Sequence, residues 1–178
     1  METLIQSTPK TLMDVYEKLP EGTLAELIEN QLYMSPAPSF NHHRITKSIS
    51  KQLDRIIEDV DIGTVIYAPF DVQLDQTSNA VQPDIFVILK TNSNQVNEEG
   101  KFIGVPDLIV ETLSKSNQSH DLIVKKNLYE KVGVKEYWVV DSESRLALGF
   151  FLTETGYVKF AELIGRIDSK LLEADFNF

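Results

Sequence analysis

Pro106-Asp107-Leu108-Ile109-Val110-Glu111-Thr112-Leu113-Ser114 is the stretch that decides the fold. Its apolar run is strand-length and β-branched, bounded by a proline and a serine-rich turn, and it reads as a buried strand. Side chains alternate along a strand, so Asp107, Ile109, Glu111 and Leu113 share one face. Glu111 then projects among apolar neighbours near the strand's end, where an unpaired charge is expensive. A second strand of the same character, Pro83-Asp84-Ile85-Phe86-Val87-Ile88-Leu89, opens on another carboxylate. Strands this apolar need cover on both faces.

The flanking segments supply that cover. A helix is predicted from Pro9 to Lys18, with Thr8 as N-cap and proline at the first helical position. Residues 23–34 read as a β-hairpin, Leu24–Ile28 and Gln31–Met34 about a turn at Glu29-Asn30, ended by Ser35-Pro36-Ala37-Pro38. The longest helix runs from Ser39 to Asp59, with a buried stripe at Ile45, Ile49, Leu53, Ile56 and Val60. Arg44, Lys47, Lys51 and Arg55 recur at the same spacings, as a basic stripe or simply a solvated face. Strands follow at Thr64–Tyr67 and Asp71–Leu74, with a turn at Asp75–Asn79 and a polar, mobile surface loop over 90–104. After Glu111 come a turn at Ser114–Gln118, a helix from Ser119 to Val132 closed by Gly133, and a strand at Glu136–Val140. Two more strands, Leu146–Phe151 and Tyr157–Phe160, lead into an irregular tail. This order predicts an α/β or α+β domain, a mixed β-sheet flanked by helices with an N-terminal β-hairpin, and one domain spanning residues 1–178.

The chain has 178 residues, and 17 Lys+Arg against 27 Asp+Glu give a formal charge of −10. With 42% hydrophobic and 25% charged residues, a collapsed globular domain is expected rather than a disordered or fibrous one. No apolar run approaches the roughly 20 residues of a membrane span, and no secretory pattern opens the chain. Cysteine is absent, which excludes disulfides and thiolate metal sites and fits a reducing cytoplasm, the expected location. The acidic balance argues against a broadly basic nucleic-acid coat protein.

Asp84 and Glu111 on neighbouring strands form a natural oxygen ligand set for Mg²⁺ or Mn²⁺. The plainer alternative is that Asp84 ends a turn and Glu111 pairs with a lysine. Asp121, Lys125 and Tyr129 stand at four-residue spacing on one face of the next helix, either as a salt-bridged face or delivering an ammonium to a metal site. Phosphodiester hydrolysis needs an activated water, a positive group and acidic ligands, all types present here.

Three stretches resemble the Uma-two family of restriction endonuclease-like proteins, a branch of the PD-(D/E)xK nuclease superfamily. They are Ala25–Pro36, Val81–Val87 and Pro106–Ser114, and Asp121, Lys125, Tyr129 and Gly133–Asp141 continue the match. The resemblance implies a restriction-endonuclease-like core and a metal-dependent endonuclease acting on DNA, with Mg²⁺ or Mn²⁺ as cofactor. It makes Asp84 and Glu111 the metal-binding acids and Lys125 the catalytic lysine, supplied from the following helix because the usual position holds Leu113. Lys126 and Lys115 compete for that role. Glu26 matches the acid of the N-terminal hairpin, and His42 matches a histidine after the Ser-Pro loop, with His43 as its rival. Asp121 and Tyr129 would position Lys125, and Arg44, Lys47, Lys51 and Arg55 would contact DNA phosphates. Departures are Asn30-Gln31 in the hairpin turn and Lys115 where a proline is usual; neither touches Asp84, Glu111 or Lys125. Cutting both strands would favour a homodimer. The alternative from another class is a catalytically silent nuclease-fold module that binds or regulates a partner, and a third is a hydrolase of RNA or nucleotides.

Overall fold

The computed structural model describes residues 9–20, 22–94, 96–97, 102–113 and 119–178. Helix α1 (Leu12–Tyr16) is capped by Thr11, whose hydroxyl accepts from Asp14 N while the Asp14 carboxylate accepts from Thr11 N. That reciprocal capping box starts the helix later than the predicted Pro9, and the expected cap Thr8 lies outside the described residues. Strands β1 (Ala25–Ile28) and β2 (Gln31–Met34) form the predicted hairpin. Glu29 and Asn30 take φ of 47° and 60°, the left-handed pair that a two-residue hairpin turn requires. Helix α2 (Phe40–Ile57) begins at Ser39, whose hydroxyl accepts from His42 N.

Six strands follow: β3 (Gly63–Tyr67), β4 (Val72–Gln73), β5 (Ala80–Val81), β6 (Ile85–Leu89), β7 (Phe102–Ile103) and β8 (Leu108–Leu113). A π-helical turn, His120–Lys125, runs into α3 (Lys126–Val132), which Gly133 closes at φ 97°. The chain ends in β9 (Glu136–Asp141), β10 (Leu146–Thr153), β11 (Gly156–Ile164), β12 (Arg166–Ser169) and β13 (Ala174–Asn177).

The main sheet has the order β11-β10-β9-β8-β6-β3. Strands β8 and β9 run parallel, joined by the π turn and α3, and every other pair in it is antiparallel. Alternation then decides what covers it. Leu108 and Val110 face α2 and pack with Ile45, Ile49, Leu53 and Ile57, while Ile109 and Leu113 face α3 and pack with Leu128 and Tyr129. Both faces of β8 are thus buried, as its uninterrupted apolar run requires. A smaller sheet, β2-β1-β5-β4-β7, lies beside it and carries the hairpin. Among the described residues no helix is long and apolar enough to cross a membrane.

Four expectations change. The tail is not irregular: β12 and β13 pair as a hairpin whose Ile167 and Phe176 enter the α2 side of the core. The 90–104 segment is not all loop, because Phe102 is fully buried and β7 pairs with β4. The helix after Glu111 opens with a wider π turn rather than an α turn. The buried stripe of α2 ends on Ile57, while Val60 lies past the helix end and is exposed.

Candidate active site

Strand register brings the two predicted acids together. Ile85 lies opposite Val110, so Asp84 meets Glu111 across the β6–β8 pair, and Asp84 N donates to Glu111 Oε2 at 3.3 Å. Thr112 N donates to Asp84 Oδ2 at 2.7 Å. His42 Nε2 lies 2.9 Å from the same oxygen and is buried, whereas His43 is exposed. Of the two histidines, His42 is therefore the one that touches the acid. Thr46 Oγ1 bridges behind it, 3.5 Å from His42 Nδ1 and 3.0 Å from Thr112 Oγ1.

Lys125 reaches into the same cluster. Its Nζ is 2.9 Å from Glu111 Oε1, 2.8 Å from Glu26 Oε1 and 3.7 Å from Asp121 Oδ1. Tyr129 OH donates to Glu111 Oε1 at 2.8 Å. Of the competing lysines, Lys126 stands over the Phe150 ring, 5.1 Å from its centroid, and Lys115 lies outside the described residues. The main-chain N–H of Gln82 donates to Glu26 Oε1 at 2.9 Å, and His120 Nε2 lies 3.4 Å from Glu26 Oε2 with its ring against Tyr33.

Charge is strongly unbalanced in this largely buried cluster. Burial pushes Glu111 up; Lys125 opposes that, and Asp84, Asp121 and Glu26 add to it. Burial likewise raises Asp121, to about 6, with Lys125 opposing and Glu26 and Asp84 adding to the rise. Glu26 goes the other way: burial would raise it, but Lys125, His120 and Gln82 N hold it below its ordinary range. Burial lowers Lys125, yet Glu111, Glu26 and Asp121 outweigh it and keep the side chain an ammonium. Burial lowers His42 too, and Asp84 more than compensates.

Glu26, His42, Gln82, Asp84, Glu111, Thr112, Asp121 and Lys125 line a cleft of about 510 Å³ together with Pro36, Pro38, Ser39, Ser142 and Glu143. Among the described residues, Asp84 Oδ1 takes no hydrogen bond and Glu111 Oε2 takes only the long one from Asp84 N. Two carboxylate oxygens with spare lone pairs, in a cluster with surplus negative charge, suit a hard divalent cation. No group of three or more His, Asp and Glu side chains among the described residues is arranged to hold a metal by itself, so water or phosphate oxygens would have to complete its shell.

Arg44, Lys47, Lys51 and Arg55 are all exposed on α2 and none enters the cleft. Lys47 and Lys51 line a separate groove. Sequence reasoning missed His120 and the role of Gln82. His120 carried a signal in its place next to Asp121, but Gln82 acts through its main chain, which no side-chain pattern reports.

A family model named Uma2, described as “Putative restriction endonuclease”, matches residues 13–166. Among solved structures, a “putative nuclease belonging to DUF820” from Anabaena variabilis ATCC 29413 matches with a TM-score of 0.76. The two are 17% identical over 95% of each chain, so the likeness is one of fold, and the fold is the restriction-endonuclease-like one expected. No curated protein matches.

Proposed function

The chain belongs to the Uma2 family, and from that premise we propose that it is a divalent-metal-dependent endonuclease acting on DNA, the whole chain forming one catalytic unit. One observation carries the reading: Asp84 and Glu111 meet across β6 and β8 with Lys125 Nζ 2.9 Å from Glu111. The arrangement supports reading them as a PD-(D/E)xK-type acid pair with its lysine delivered from the following helix.

Asp84 Oδ1 and Glu111 Oε2 would hold Mg²⁺ or Mn²⁺. When bound, the ion would supply Lewis-acid polarisation of the scissile phosphate and a more acidic water. The protein's own groups do the rest. His42 and Thr112 N fix one oxygen of Asp84, and Tyr129 and Lys125 fix one oxygen of Glu111, so the remaining oxygens are aimed without rotamer search. Lys125, held as an ammonium, cannot take a proton from water; it orients the nucleophile and stabilises negative charge developing on phosphate. Glu26 and Asp121 anchor that ammonium. Arg44, Lys47, Lys51 and Arg55 would meet phosphates outside the cleft. A silent module is disfavoured because so many buried charges cost stability without serving the fold.

The test is incubation of supercoiled plasmid with Mn²⁺ or Mg²⁺, with an RNA of matched sequence in parallel. Nicked or linear DNA is expected from the wild type and none from Asp84→Ala or Glu111→Ala. Cleavage surviving in both variants would overturn the assignment, and preference for RNA would move the substrate class. Linear product forming without a nicked intermediate would point to a dimer cutting both strands.

A further inference from the structure

Behind the cleft, the outer face of α2 and the edge strand β3 enclose a second groove of about 500 Å³. Thr46 lines it, and its hydroxyl lies 3.0 Å from that of Thr112 in the cleft wall, so one threonine pair stands between groove and cleft. Its other lining groups are His43, Lys47, Ser50 and Lys51 from α2, with Tyr67 at the end of β3 and Ala68 just after it. Asp54 is its one lining carboxylate, at the far end. Among the described residues no carboxylate makes an ion pair with Lys47 or Lys51.

Two large aromatic surfaces border this cationic track. Tyr67 is 60% exposed on the groove wall. Phe40 is 80% exposed at the start of α2, next to Ser39 of the cleft, and residues three and four apart place it in line with His43 and Lys47. Exposed aromatic rings cost solvation and do nothing for an uninterrupted duplex, whose bases are already stacked. Beside unpaired cations they match the stacking-platform-and-basic-track pattern by which proteins hold single strands.

We propose that this groove carries an unpaired nucleic-acid strand out of the catalytic cleft, with bases stacked on Tyr67 and Phe40 and phosphates on Lys47 and Lys51. The proposal rests on the nuclease reading and narrows it: the preferred substrate has a single-stranded arm beside the cut, not continuous duplex.

The experiment is fluorescence anisotropy of the full chain with a labelled oligothymidylate and with a duplex of equal length, in EDTA so that binding is read without turnover. The single strand should bind more tightly. Tyr67→Ala should weaken its binding about fivefold or more, while Tyr67→Phe retains it. Replacing Lys47 and Lys51 together by alanine should flatten the log-affinity against log-salt slope by about 0.7 for each phosphate no longer neutralised. Equal or tighter duplex binding, or a Tyr67→Ala variant indistinguishable from wild type on the strand, overturns the groove. Plasmid cleavage separates the two failures: a wild type that cleaves while the variants bind normally refutes the groove alone. A wild type that neither cleaves nor binds refutes the nuclease reading and the groove with it.

Discussion

Replacing Lys125 with methionine keeps the aliphatic stem and deletes the ammonium, so its effect is chiefly electrostatic. In the wild type the charge lies 2.8 Å from Glu26 and 2.9 Å from Glu111, and all three side chains are buried. Glu26 is the more sensitive reporter, because Lys125 is what overcomes its burial and holds it below its ordinary value of 4.5. Without Lys125 the sign reverses and the folded-state value rises above the unfolded one. A group raised in the folded state contributes fully below its unfolded value and loses that contribution as pH rises through the folded one. The variant should therefore approach wild-type stability near about pH 4.5 and fall behind above it. His120 and Gln82 N still support the carboxylate, which moderates the rise that burial imposes. The loss at the higher pH should therefore fall at the low end of the about 3–5 kcal/mol typical when one partner leaves a buried ion pair. Glu111 adds less, since burial already pushes it upward in the wild type. Urea unfolding followed through Trp138, the only tryptophan and fully buried, measures the difference at about pH 5 and about pH 8. Adding Glu26→Gln to the variant should recover part of the loss at the higher pH. A penalty equal at both pH values, or below about 1 kcal/mol at the higher one, would refute the charge argument.

Three further expectations concern the stability of the fold. Gly149→Ala would place a Cβ 2.8 Å from Cη2 of Trp138 and 3.0 Å from Phe160, where the tryptophan is fully buried. Overpacking of this kind costs about 1–3 kcal/mol, read as a Tm drop of roughly 2–4 °C per kcal/mol. Burial raises Asp75, but hydrogen bonds from Asn79 and from the N–H groups of Ser78, Thr77 and Asn79 outweigh it and hold the carboxyl at about 2. Its stabilisation is present above the ordinary carboxylate value and disappears as pH falls through about 2. Discounted for its half-exposed position, Asp75→Ala should cost about 1 kcal/mol at neutral pH, measured by urea titration. Ser39→Ala removes the cap of the helix that carries His42 and should cost about 1 kcal/mol by the same titration.

Legibility followed periodicity. Period two along β8 put Glu111 and Leu113 on one face, and four-residue spacing put Lys125 and Tyr129 on one face of the next helix; in the structure those two faces meet. Both rules report side-chain direction, which is what a site made of side chains needs. In the smaller sheet the hairpin and the strand over Asp71–Leu74 were legible, but β5 and β7 left little trace, because two residues cannot display a period. The β12–β13 hairpin was hidden for a related reason: its strands are four residues each, and each sends a single large apolar side chain, Ile167 or Phe176, into the core. Gln82 holds Glu26 by its main chain, and Thr112 holds Asp84 by its own, so both interactions follow only from strand placement. The basic stripe showed the opposite failing. Spacing placed four cations on one helix, yet only Lys47 and Lys51 line the groove, because the helix turns Arg44 and Arg55 further round.

The charge of −10 acquires a local meaning from these positions. Glu26, Glu111 and Asp121 converge on a single lysine, with Asp84 beside Glu111 and with His42 and His120 at the edges. A phosphate entering such a cleft meets net repulsion unless a divalent ion arrives first, whereas Lys47 and Lys51 meet a strand outside it without that condition. Metal and salt should therefore act on different steps. The ion governs entry of the scissile phosphate, and salt governs the hold on the strand beyond it. Titrating Mn²⁺ into the wild type with a cleavage-resistant phosphorothioate strand tests the division. Metal should tighten binding in the wild type and much less in Asp84→Ala, while the salt slope changes only in the Lys47 and Lys51 variants. A salt slope that moved with Asp84 instead would mean that cleft and groove are one electrostatic site, and the separation argued from their geometry would fall.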